Sequence, residues 1–154
     1  MLKFNRTTEY ALIALRHLSS KDRGGSSSAR EIADVYGLPF DILAKTLQRM
    51  KDSGMLQSAQ GARGGYMLRR PLEQVTLAEF LELMEGANGV VACAEKPDHE
   101  LTCEFQSKCQ IHGVMRGLNA RLKSFLSGIR LSEFAADSDG ETVQLENFTK
   151  QVGS

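Results

Sequence analysis

The stretch "QGARGGYMLRR", Gln60 to Arg70, decides how the chain is read. Gly61, Gly64 and Gly65 make it a poor helix and a poor strand core, yet it lies between two well-patterned segments. On its N-terminal side "MLQSA", Met55 to Ala59, has the make-up of a short strand, and "GYMLRR" has it on the other. Two short strands around a glycine-rich turn form a β-hairpin. Glycines let backbone amides approach phosphates closely. Gln60 opens the turn, and Arg63 at its tip suits a minor groove or a phosphate. The competing reading is a plain solvated hairpin.

What precedes the hairpin favours the first reading. "SAREIADVYG" opens with a capping box, Ser28 with Glu31, carries Ile32, Ala33 and Tyr36 as an inner stripe, and stops at Gly37. "LPFDILAKTLQRMKDSG" follows almost at once, with Pro39 suited to a first turn and Gly54 as the stop. Leu43, Leu47 and Met50 point one way; Asp41, Ala44, Lys45 and Gln48 point the other. Two short helices around a tight glycine turn fit a helix-turn-helix or an ordinary helical hairpin. A wing after the second helix makes this a winged helix, so the expected fold is mainly α with a small β-hairpin wing. The candidate DNA-binding residues are Ser28, Asp41, Lys45, Gln48, Arg49, Gln60 and Arg63. Lys45 and Gln48 lead for contacts to base edges or phosphates.

Further out, "TTEYALIALRHLSS" reads as a first helix capped by Thr7 or Thr8. "TLAEFLELMEG" has a second capping box, Thr76 with Glu79, and an inner stripe of Leu77, Phe80, Leu81 and Met84. Residues 87–109 lack periodicity and read as a loop. "QIHGVMRGLNARLKSFLSGIRLSEF" reads as one last long helix, with Ile111, Met115, Leu118, Leu122, Phe125 and Ile129 spaced for packing on its copy in a homodimer. The domain scheme is a winged helix-turn-helix over 1–86, a cysteine-bearing loop over 87–109, a dimerisation helix over 110–135 and a polar, mobile tail over 136–154.

The chain has 154 residues and a formal net charge of zero, but the charge is unevenly spread. Residues 28–70 hold seven Lys/Arg against four Asp/Glu, whereas 71–109 hold two against eight. A neutral protein can therefore show one basic face. No apolar run approaches a membrane span and "MLKFNRTTEY" is no signal peptide, so a cytoplasmic protein is expected. No nucleophile–base pair or nucleotide loop stands out, which argues against an enzyme. Cys93, Cys103 and Cys109 are too few and too close for a disulfide framework. Inert thiols, a thiol redox switch and metal ligation remain open. Clustered thiolates on a loop suit an iron–sulfur cluster, and His112, three residues after Cys109, can face the same site.

The combination of "TTEYALIAL", "SAREIADVYGLPFDILAKTLQRMKDSGML", "GARGGYML", "TLAEFLELMEG" and the three-cysteine loop resembles the Rrf/BadM-type winged-helix transcriptional regulators, with their IscR-like and NsrR-like iron–sulfur repressors, from about Phe4 to Phe134. The resemblance implies a homodimer on a palindromic double-stranded DNA operator, a recognition helix in the major groove and a wing at the minor groove. It also implies that Cys93, Cys103 and Cys109 hold an iron–sulfur cluster whose state sets DNA affinity. The fourth ligand is His112 for a [2Fe-2S] cluster, or Glu9 of the partner subunit for a [4Fe-4S] cluster. The expected signals are redox state, nitric oxide or iron–sulfur supply. The alternative is a cluster-free winged-helix regulator that senses oxidants through its thiols. Two departures stand out: nine residues rather than five separate Cys93 from Cys103, and Gln60 replaces an arginine before the wing glycine.

Overall fold

The computed structural model describes residues 3–21, 25–61, 64–86 and 108–135. Helix α1 (Arg6–Ser19) starts on Asn5, whose side-chain oxygen accepts from the Thr8 amide at 2.8 Å. The cap is thus two to three residues earlier than Thr7 or Thr8. The Thr8 hydroxyl is instead buried and bonded to Asn5 and to Glu85. Helix α2 (Ala29–Tyr36) begins on Ser28, which accepts from the Glu31 amide, and ends on Gly37 in the left-handed conformation. Only half of the expected capping box forms, because the Glu31 carboxylate turns to Lys21 at 2.9 Å. Helix α3 (Phe40–Asp52) starts one residue after Pro39, which takes the extended N-cap position rather than the first turn. Its inner face of Leu43, Leu47 and Met50 is fully buried.

Strands β1 (Leu56–Ser58) and β2 (Tyr66–Leu68) pair antiparallel, with Leu56 opposite Leu68 and Ser58 opposite Tyr66. Ser27 adds a separate antiparallel bridge to β2: its amide and carbonyl both bond Tyr66, at 3.1 and 2.9 Å. The wing is therefore tied to the segment just ahead of α2. Helix α4 (Leu77–Glu85) has the complete capping box of Thr76 and Glu79, and Gly86 ends it. A single 3-10 turn, Leu72–Gln74, connects β2 to it.

The predicted last helix is two. Helix α5 (His112–Gly128) stops at an extended Ile129, and α6 (Ser132–Ala135) follows. The reason is a long-range pairing. Leu77 donates to the Ile129 carbonyl at 2.8 Å, Leu131 donates to that of Val75 at 3.0 Å, and Leu131 enters the core. Backbone groups that a helix would have satisfied are satisfied here by the segment leading into α4. One core unites α1, α2, α3, β1 and α4, with Phe80, Ile32, Leu43, Leu47 and Met84 among its largest buried side chains. Each contributes about 1.5–3 kcal/mol of burial.

His17 is buried, with 7% of its surface exposed. Its Nε2 and Nδ1 atoms meet Ser27 Oγ at 2.9 Å and Tyr36 Oη at 3.2 Å. Tyr36, expected on the inner stripe of α2, is largely exposed; its ring sits edge-on to His17 and its hydroxyl is the anchored part. Burial first, and Lys21 second, lower the His17 pKa, while Glu31 opposes them. The unfolded chain therefore binds a proton at a higher pH than the folded one, so stability rises with pH between the two values. Thermal melts are expected to show stability falling as the pH drops below about 6.5. His17→Gln should flatten that part of the curve. A native protein whose melting point is level or rising through this window contradicts the assignment.

Candidate nucleic-acid interface and cysteine site

The outer face of α3 follows from the same periodicity that buries the inner one. Asp41, Lys45 and Gln48 are all exposed on it. Asp41 and Lys45 have no hydrogen-bond or ion-pair partner among the described residues, so their charges are available to a ligand. Gln48 is engaged within the helix, donating from Nε2 to Asp52 Oδ1 at 2.7 Å. Ser28 is used as the α2 cap, which leaves its backbone at a helix start. Gln60 is exposed at the entry to the wing turn. Arg63 lies outside the described residues.

Arg49 is placed differently from the others. Its Nη1 donates to the Met84 carbonyl at 3.1 Å, tying the far end of α3 to the last turn of α4. The neighbouring Glu85 carboxylate accepts from the Asn5 amide at 3.0 Å and the Thr8 hydroxyl at 2.7 Å. The end of α4 thus clasps both α3 and the start of α1. Sequence spacing could not show this, because the partners lie 35 and about 80 positions apart. A second unforeseen feature is Arg30, stacked 4.0 Å over the Phe40 ring, which joins α2 to the start of α3.

The wing turn is closed by a bond from the Gly64 amide to the Gly61 carbonyl at 3.1 Å. Gly65 is required by space as well as by its positive φ. A Cβ there would meet the Ser27 carbonyl oxygen at 2.9 Å.

Of the expected cluster ligands, Cys93 and Cys103 lie outside the described residues. Cys109 is half-buried just ahead of α5, and His112 is the first residue of that helix. The His112 Nε2 atom is buried and has no hydrogen-bond partner among the described residues. A buried imidazole nitrogen with its lone pair or proton unmet is costly, and metal ligation is one way to satisfy it. Glu9 is instead half-buried in the first turn of α1 and pairs with Arg6 at 3.2 Å. No group of three or more potential metal ligands assembles among the described residues.

The Rrf2 family model, described as an iron-dependent transcriptional regulator, matches residues 4–137. The chain belongs to the Rrf2 family. This Rrf2 protein is 25% identical over 130 residues to the HTH-type transcriptional regulator IscR of Xenorhabdus nematophila, a match spanning 84% of the chain and 77% of that relative. Its fold is similar to that of T. potens IscR, at 21% identity, TM-score 0.66 and 96% coverage of each chain. It is also similar to CymR, the global cysteine regulator of B. subtilis, at 23% identity and TM-score 0.65 over 88% of this chain and 97% of that one. The winged-helix architecture expected from the sequence is therefore the family's own. Its relatives are transcriptional regulators rather than enzymes, and DNA binding follows from membership. No helix among the described residues is long and apolar enough to cross a membrane.

Proposed function

We propose that this Rrf2 regulator acts as a homodimer on a palindromic operator, and that an iron–sulfur cluster on Cys93, Cys103, Cys109 and His112 sets its affinity. The observation that carries the DNA half is the outer face of α3. It presents Asp41 and Lys45 without a partner among the described residues, on a helix whose other side is locked into the core. Lys45 supplies a positive charge to phosphate or to the acceptor edge of guanine. Ser28 at the α2 start, Gln48 and the wing residues Gln60 and Arg63 complete the surface. Arg49 serves it from behind, by holding α3 against α4.

The His112 imidazole supports the sensory half, because its buried nitrogen needs a partner that the described residues do not supply. It also favours His112 over Glu9 as fourth ligand, and with it the two-iron type. When bound, such a cluster supplies one-electron redox chemistry and lability towards oxidants and nitric oxide. The chain's own part is to join ligand site to DNA surface. The clasp at Met84 and Glu85 closes two residues before the 87–107 segment begins, and it holds α3 through Arg49 and α1 through Asn5 and Thr8.

Dimerisation is supported by α5. Its C-terminal end packs on the core through Leu126 and Ile129, but Ile111, Val114 and Leu118 are 61%, 71% and 48% exposed. Three large apolar side chains along one long helix fit a partner surface. The rival reading, a cluster-free thiol sensor, draws on the likeness to CymR. It is separated by iron and sulfide content after anaerobic purification.

The DNA assignment is tested by titrating a selected operator against salt. Lys45→Ala should weaken binding and lower the slope of log K against log salt by about 1. An unchanged affinity together with an unchanged slope removes Lys45, and with it this orientation of α3.

A further inference from the structure

Ile42 stands in the first turn of α3 with 44% of its surface exposed. Every other exposed residue on that helix is polar or charged: Asp41, Lys45, Gln48, Arg49 and Asp52. Packing does not call for an isoleucine here, since the core face of α3 is complete with Leu43, Leu47 and Met50. Helix propensity does not call for it either, because a β-branched side chain loses rotamer freedom in a helix. The Ile42 carbonyl accepts from the Thr46 hydroxyl at 2.7 Å, and its side chain is not among those packed on the core. A single exposed isoleucine is common on protein surfaces; here its position is what matters. It follows Asp41 directly and lies one turn from Lys45, at the end of a recognition helix that meets base edges.

We propose that Ile42 is a specificity residue that reads the C5-methyl group of a thymine in the major groove. The inference rests on the assignment of α3 as the DNA-reading helix. Thymine is the one base that shows a methyl group on that edge. An isoleucine gains by excluding water from the methyl, and it leaves the cytosine amine or the guanine acceptors without a partner. Asp41 can only accept, from an exocyclic amine, and Lys45 can only donate. The first turn of α3 thus offers an acceptor, a methyl contact and a donor at positions 41, 42 and 45. Each half-site should hold a thymine against Ile42.

The test uses the full chain and an operator enriched from random duplexes. Each thymine is replaced in turn by deoxyuridine, which removes only the methyl group. One thymine per half-site should weaken wild-type binding about fourfold on replacement, the ratio for one buried methyl-sized group. Ile42→Ala should lose about as much on the thymine duplex and show no further loss on the uracil one, while Ile42→Val stays close to wild type. Ile42 lies outside the core, so equal melting points for the three proteins are expected. A wild type that binds its operator but is indifferent to every uracil, or an Ile42→Ala variant that still senses the methyl, overturns this inference alone. A chain that enriches no duplex overturns the DNA reading of α3 and this inference together.

Discussion

Cys109→Ala, purified without oxygen, is expected to be colourless and free of iron and acid-labile sulfide, yet folded. Three thiolates hold the proposed cluster, and Cys109 is the one placed three residues from His112, whose Nε2 has no partner among the described residues. Loss of a thiolate takes away a ligand for which water is a poor substitute on iron. The fold should survive, because Cys109 does not belong to the core that joins α1 to α4. Two companions sharpen the result. His112→Ala should lower cluster retention, whereas Glu9→Ala should leave iron content unchanged, since Glu9 pairs with Arg6 on the surface. Iron that survives in Cys109→Ala sinks the ligand set. Iron that survives in His112→Ala but not in Glu9→Ala moves the fourth ligand to the partner's α1.

Gly65→Ala should cost the most stability of any single methyl added to the wing. The backbone there has φ +137°, which an L side chain rarely adopts. The new Cβ would also sit 2.9 Å from the Ser27 carbonyl oxygen, a backbone atom with little room to give. Strain of this kind costs about 1–3 kcal/mol. Moving Ser27 would further loosen its two bonds to Tyr66, each with a net value of about 0.5–1.5 kcal/mol. A fall in melting temperature on the order of 10 °C is expected, with weaker operator binding as the wing shifts. Gly61→Ala is the control: φ is positive there too, but no described residue stands within 4 Å of the added Cβ, so the loss should be smaller. Equal losses at the two positions would show that the Ser27 contact is not what Gly65 is needed for.

The parts of this fold that sequence made legible are those set by neighbours within a few residues. Thr76 and Glu79 are three apart and form the box their types predict, and Gly37 ends α2 as its lack of a Cβ allows. The alternation of Leu43, Leu47 and Met50 with Asp41, Lys45 and Gln48 gave both faces of α3. The α1 cap was missed because Asn5, Thr7 and Thr8 are all capping types. The choice of Asn5 is reinforced from a distance by the Glu85 carboxylate. The break at Ile129 was hidden for a similar reason: the apolar spacing runs on through it, and only the pairing with residues 75–77 pulls the backbone out.

The functional surface divides the same way. Lys45 was legible because it had to face outward. Arg49 reads as an outward base from its place in the helix, but its guanidinium is spent on the Met84 carbonyl. The bonds of His17 to Ser27 and Tyr36 depend on how α1, α2 and the wing meet. The unmet nitrogen of His112 belongs to this group as well, since burial is a property of the assembled chain.

In the proposed mechanism one molecule joins a DNA-reading α3 and wing to an iron–sulfur ligand site that controls them. Its most direct test is the affinity of the anaerobic full-length protein for its enriched operator, measured by fluorescence anisotropy before and after removal of iron. A change of about tenfold or more is expected on cluster loss, within the usual range of allosteric coupling, and no change in Cys109→Ala. Equal affinity for the operator with and without iron would contradict it.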